Sequence, residues 1–189
     1  MARPLSDDKR TAILEAAAEV VAALGVSSPT AKIAKAAGVA EGTVFTYFAT
    51  KDELLNQLYL AIKTELSDAM MAGYPAGEGV TRRCRHIWDR YIGWGSSHPL
   101  KRKAARQLAV SDRITEQSRK VVGEAFGEYN ALMRECVEGG ALKGLTPAFA
   151  SSLLSAVAET TMEFVAREPK RAKQYSEAGF QAFWKAVAG

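Results

Sequence analysis

Residues 30–55 read TAKIAKAAGVAEGTVFTYFATKDELL, and the order of apolar, small and capping residues in that stretch decides how the rest of the chain is read. Ile33, Ala34 and Ala37 recur at helical spacing, so a short helix is expected over residues 30–37 with Thr30 as its N-cap. Gly38 supplies the left-handed residue that stops it. A second short helix is predicted from about Ala40 to Phe48. Its Val44 and Phe48, four apart, share the inward side, which leaves Glu41, Thr43, Phe45, Thr46 and Tyr47 on the exposed face. Thr50 and Glu53 stand at capping-box spacing, where each side chain satisfies an orphan backbone N–H, so a long helix starts there.

Two short helices meeting at a glycine have the layout of a helix-turn-helix, in which the second helix enters the DNA major groove and the first braces it. The exposed face has matching chemistry. Thr43, Thr46 and Tyr47 carry hydroxyls for base edges or phosphates, Phe45 can press on thymine methyl groups, and Gly42 lets the helix start approach the DNA backbone. Glu41 either accepts from a cytosine amino group or simply suits the helix dipole. A plain helical hairpin is the alternative, and Phe45 and Tyr47 would then be protein contacts.

Outward from this segment the helical period continues along the chain, and no run of residues alternates as a half-buried strand does. The fold class is all-α with about nine helices: an N-terminal three-helix helix-turn-helix domain over residues 1–52 and a C-terminal helical regulatory and dimerisation domain over residues 53–189. Ser6 or Asp7 caps the first helix and Gly25 ends it. Residues 113–138 read as one helix closed by Gly139-Gly140. Thr146 caps a helix whose Pro147 suits its first position, and the last helix covers about residues 170–187.

The long string from Thr30 to Leu55 closely resembles the DNA-binding signature of the tetracycline-repressor-like (TetR) family of bacterial transcriptional regulators. The resemblance covers about 50 residues and implies a DNA-binding role for nine positions. Thr30 and the start of its helix, with Lys32, hold phosphate. Glu41, Gly42, Thr43, Phe45, Thr46 and Tyr47 lie at the groove, and Lys51 contacts phosphate from the start of the next helix. Ala40 departs from the family, which usually has Ser or Thr as the cap there.

One two-turn recognition helix reads only a few base pairs, so useful specificity calls for two copies on a two-fold operator. Homodimerisation is expected through residues 147–187. In the helix from Pro147, Phe149, Leu153, Val157 and Phe164 form one apolar stripe while Ala150, Leu154, Ala158 and Val165 form its neighbour, more than one core requires. Trp88, Tyr91 and Trp94, with Phe126, Tyr129 and Met133, can frame a cavity that Met162 completes, or can be ordinary core. The family resemblance implies an unknown small-molecule effector bound in this domain and a repressor released from double-stranded operator DNA by that effector.

The chain has 25 Lys and Arg against 21 Asp and Glu, and eight of those basic residues with one acidic fall within residues 82–106. Arg82, Arg83, Arg85 and Arg90 would favour an anionic effector if turned inward, although outward, solvated placement is the ordinary outcome. Lys101, Arg102, Lys103 and Arg106 would add to the field around DNA, as would Arg3, Lys9, Arg10 and Lys35. No catalytic signature such as G-x-S-x-G, H-E-x-x-H or G-x-x-x-x-G-K-[ST] occurs, so an all-helical enzyme is the weaker reading. No metal or cofactor is expected: Cys84, His86 and Asp89 supply too few ligands, and Cys84 and Cys136 read as free structural thiols. No membrane span or signal peptide is read, and the expected location is cytoplasmic.

Overall fold

The computed structural model describes residues 6–188. Among them the chain is all-α, with ten α-helices and one short 3₁₀ turn. In order they are α1 (Asp7–Leu24), α2 (Thr30–Ala36), α3 (Glu41–Tyr47), α4 (Lys51–Met71), α5 (Val80–Ser97), α6 (Pro99–Ala109), α7 (Glu116–Ala125), α8 (Gly127–Gly139), α9 (Pro147–Arg167), the 3₁₀ turn Pro169–Arg171 and α10 (Ala172–Ala188).

Local chemistry sets most of the boundaries. The Ser6 hydroxyl caps α1 by accepting from the Lys9 N–H at 3.4 Å, and α1 ends at Gly25 with φ +88°. The Thr50 hydroxyl accepts from the Glu53 N–H at 3.0 Å, while the Glu53 carboxylate reaches one residue further back, to the Ala49 N–H at 2.8 Å. Both orphan donors are thereby satisfied at the start of α4. Thr30 differs from the expectation. It is the first residue of α2 after Pro29, and its hydroxyl bonds a side chain of α3 in place of its own helix. Thr146 occupies the cap position of α9 without a capping bond, and Pro147 alone supplies the helical start.

The helix expected over 113–138 is two. α7 stops at Ala125, whose carbonyl accepts from the Ser67 hydroxyl of α4 at 2.8 Å, and Phe126 leads into α8 with φ −95° and ψ +21°. A partner three helices back along the chain intercepts the carbonyl at the break. This is why the count is ten and not nine.

The chain divides into two compact units, one running through Glu65 and including His98–Gly123, the other formed by Leu66–Ser97 and the residues from Glu124 on. In the first, α2 packs on α1 and α3 on α2, and α6 lies along α1. Ile13, Ala17, Val21, Ile33, Val44, Phe48, Leu55 and Leu108 fill its core at no more than 1% exposure. Asn56 is buried there with its amide fully used: it donates to the Asp52 and Arg113 carbonyls and accepts from the Thr115 N–H and hydroxyl. In the second unit α10 packs against α9, α8 and α5. Trp88 is completely buried, donates from Nε1 to the Ser176 carbonyl at 3.0 Å, stacks on Phe183 and meets Phe180 edge-on. Gly179 on α10 lets this indole in, because a Cβ there would stand 2.7 Å from the Trp88 ring.

Candidate nucleic-acid interface

Within the first unit α3 is held on α2, which packs in turn on α1. Val44 and Phe48 are each 1% exposed, whereas Phe45 between them is 43% exposed. One apolar residue in three on this helix therefore faces outward, an arrangement that burial within the unit does not explain. Thr46, Glu41 and Gly42 share the exposed side, and Thr43 and Tyr47 are half-buried at its margins. A Cβ built on Gly42 meets nothing within 4 Å, so the fold itself makes no demand for glycine there.

Two contacts tie the recognition helix to its neighbours. The Thr30 hydroxyl donates to the Glu41 carboxylate at 2.6 Å, joining the starts of α2 and α3. Glu41 sits in the first turn of a helix whose cap position is Ala40, without a side-chain cap, so its carboxylate faces the positive end of the dipole and also anchors α2. The Tyr47 hydroxyl accepts from the Ser6 N–H at 3.1 Å, fixing the far end of α3 to the start of α1. Thr46 donates back to the Gly42 carbonyl at 3.0 Å. Sequence reading had no signal for the first two bonds, since their partners lie 11 and 41 residues away.

The cations divide into free and committed ones. Lys32 is exposed on α2, as are Lys9 and Lys35. Lys51 is half-buried at the start of α4; burial first, and then the Arg113 guanidinium, lower its amine below the ordinary lysine value, against the opposing pull of Asp52. A phosphate docked there would relieve that repulsion and favour the charged amine. Arg113 itself pairs with Asp52 at 2.6 Å and had not been flagged by sequence, because 61 residues separate the two. Lys101 does not contribute a free charge to the surroundings of DNA. It is bound at 2.8 Å by both Glu15 and Glu65, and although burial lowers its amine, these two bonds outweigh it and hold the value up. Arg3 lies outside the described residues.

Residues 13–58 match the family model described as bacterial regulatory proteins, tetR family. These residues carry the DNA-binding domain of the TetR family. The chain is a DNA-binding transcriptional regulator. The chain is 25% identical to the HTH-type transcriptional regulator YhgD of Bacillus subtilis over 154 residues, 76% of each chain. It is 48% identical to the fatty acid metabolism regulator protein of Bacillus subtilis over 48 residues, a quarter of each chain. Among solved structures, a tetR family transcription regulator from Shewanella sp. PV-4 superposes with a TM-score of 0.82 at 28% identity, over 96% of this chain and 98% of that one.

The expected pocket residues all fall in the second unit. Trp88, Trp94, Tyr129, Met133 and Met162 are buried, and Tyr91 and Phe126 are half-buried. Burial pushes the Tyr129 phenol well above the ordinary tyrosine value, with a Ser151 hydrogen bond opposing, so it stays neutral. The arginines on α5 are spent on neighbours. Arg82 pairs with Glu78, Arg83 with Glu135, and Arg85 with Asp89 and Glu177, while Arg90 donates to the Ala72 carbonyl. His86 bonds the Met70 carbonyl at 3.1 Å. All five are engaged by neighbouring protein groups, and no group of three or more metal-ligating side chains occurs among the described residues.

Alanine at Gly42 separates fold from recognition. With open space at its Cβ and a better helix former in place, stability is expected to hold or rise by up to about 1 kcal/mol. Operator affinity is expected to fall about tenfold as the methyl group holds the DNA backbone away. Thermal melting and a fluorescence-anisotropy titration on the same preparation check both; unchanged affinity would remove Gly42 from the interface.

Proposed function

We propose that the chain is a homodimeric repressor that holds a two-fold operator through residues 1–52 and is released when residues 53–189 bind a small-molecule effector. The observation that carries the dimer is the division of α9 into two apolar faces. Ala150, Leu154, Ala158 and Met162 are buried in the unit, while Phe149 and Phe164 are 50% and 37% exposed. Beside Phe164, α9 and α10 frame an open groove of about 350 Å³ lined by Val157, Thr161, Tyr175, Ala178 and Ala182. Apolar surface of this kind, on two adjacent helices, suits an isologous four-helix contact with a second copy. Paired recognition helices would then read two half-sites of one operator.

On this reading Thr30, Lys32 and Lys51 hold phosphates and Glu41, Gly42, Thr43, Phe45, Thr46 and Tyr47 lie at the groove. Effector release rests on the family resemblance and on the cluster around Trp88, Tyr129 and Met133, whose repacking about a ligand would bias one separation of the recognition helices over another. The chain works by binding and not by catalysis, on DNA in the cytoplasm. No helix among the described residues is long and apolar enough to cross a membrane.

The test is binding to a duplex taken from the region flanking the chain's own gene. Saturable binding is expected, with affinity falling steeply between roughly 50 and 200 mM salt as phosphate contacts release counterions. Salt-independent binding would overturn the phosphate contacts, and a panel of small molecules that leaves affinity unchanged would overturn effector release. In solution the particle is expected at twice the chain's 20.4 kDa. Phe164→Glu is expected to weaken the dimer at least about tenfold by placing a carboxylate in the apolar contact; a monomeric parent chain at micromolar concentration would refute the assembly.

A further inference from the structure

Cys84 on α5 and Cys136 on α8 are free thiols buried in the second unit, and their sulfurs stand 3.2 Å apart. That gap is only about 1 Å longer than a disulfide bond. The residue before each one carries an ion pair between the same two helices: Arg83 Nη2 donates to both Glu135 oxygens at 2.6 Å. The two helices are thus held in register at the level of the thiols. Cys136 lies in the last turn of α8, close to its end at Gly139.

The two thiols are not equivalent. Cys84 has no exposed surface, whereas Cys136 retains 5%. Either thiol can donate to the other; with Cys84 as the donor, the contact lowers the Cys136 thiol against the effect of its burial and, together with burial, pushes the Cys84 thiol up. A thiolate forms more readily at the sulfur that a small solute can reach.

We propose that Cys84 and Cys136 are an oxidation site, at which a small peroxide converts the dithiol to an intramolecular disulfide that ties α5 to α8. The Cys136 thiolate attacks one peroxide oxygen and the O–O bond breaks. The departing oxygen takes up the proton that Cys136 released, leaving as water from hydrogen peroxide or as an alcohol from an organic peroxide. Cys136 is now a sulfenic acid. The Cys84 sulfur attacks the Cys136 sulfur, the S–S bond forms as the S–O bond breaks, and the hydroxide leaves as water with the Cys84 proton. Two electrons pass from the sulfurs to the peroxide oxygens, and a dithiol reductant returns them. The site does not depend on the DNA-binding role and stands or falls separately from it.

The experiment uses the full chain under native conditions with hydrogen peroxide as the probe. The expected result is a monomer mass about 2 Da lower, loss of two titratable thiols, and a peptide map joining residues 84 and 136, all reversed by dithiothreitol. Closing a loop across 52 positions is expected to raise the unfolding midpoint by about 5–10 °C. In Cys84→Ser the reaction is expected to stop at a Cys136 sulfenic acid that dimedone traps, while Cys136→Ser is expected to be at least about tenfold slower to react. The wild-type measurement stands even if neither serine variant folds. Thiols that resist peroxide until denaturant is added, or disulfides found only between chains, would overturn the proposal.

Discussion

Alanine at both Thr43 and Phe45 is expected to lower operator affinity about 1000-fold while leaving thermal stability close to that of the parent chain. Phe45 is 43% exposed on a helix whose two flanking apolar residues are each 1% exposed. Removing its ring costs the unit little packing, and alanine is the better helix former at both positions. The loss falls on DNA, where each base contact contributes about 1 kcal/mol or more and the two-fold assembly counts each residue twice. Anisotropy titration at one fixed salt concentration reads the effect, with melting as the control. Affinity within about threefold of the parent would place these side chains outside the interface. Val44→Ala makes the contrast: it empties a fully buried site and is expected to cost about 1–3 kcal/mol of folding stability, so its DNA defect would follow from unfolding.

Valine at Gly140 is expected to destabilise the second unit by about 3 kcal/mol or more, the largest effect of any single glycine substitution here. Two adjacent glycines after a helix suggest a left-handed cap, yet Gly140 has φ −127° and is absent from the four glycines with positive φ. Its requirement is proximity. The Ala141 N–H donates to the Val187 carbonyl at 2.9 Å, which brings the end of α10 onto the end of α8. A Cβ on Gly140 would overlap that Val187 carbonyl and lie 2.8 Å from the Cys136 carbonyl. Both obstacles are backbone and cannot rotate away. Loss of the contact frees the last turn of α10, and Phe183 and Val187 with it, from a core where each has no exposed surface. Chemical denaturation of Gly140→Val against the parent measures the loss. A change under about 0.5 kcal/mol would show that the ends of α8 and α10 do not meet as described.

The glycine pair shows where local reading stops. Sequence placed a helix end at Gly139-Gly140 correctly but assigned the wrong cause, because backbone conformation is a property of neighbours in the chain whereas close approach is a property of neighbours in space. The same division separates Ser6, Gly25, Gly38 and the Thr50 and Glu53 pair, all legible, from the break at Phe126. There the Ser67 hydroxyl of α4 reaches the Ala125 carbonyl, 58 positions along. It also separates the exposed face of α3 from the bonds that brace it. The spacing of Val44 and Phe48 was enough to turn Phe45 outward, but nothing within a helical turn of Glu41 indicated Thr30.

By itself the sequence determined the all-α class, the helix-turn-helix and the outward face of its second helix, because caps, glycine stops and the 3.6-residue period all act within about four residues. Tertiary structure alone decided which charges are free and which are spent. Lys101 between Glu15 and Glu65, Arg83 on Glu135 and Arg85 on Glu177 are indistinguishable from solvated cations until the helices carrying their partners are packed. Electrostatic pairing depends on distance through space, and only the packed core sets that distance.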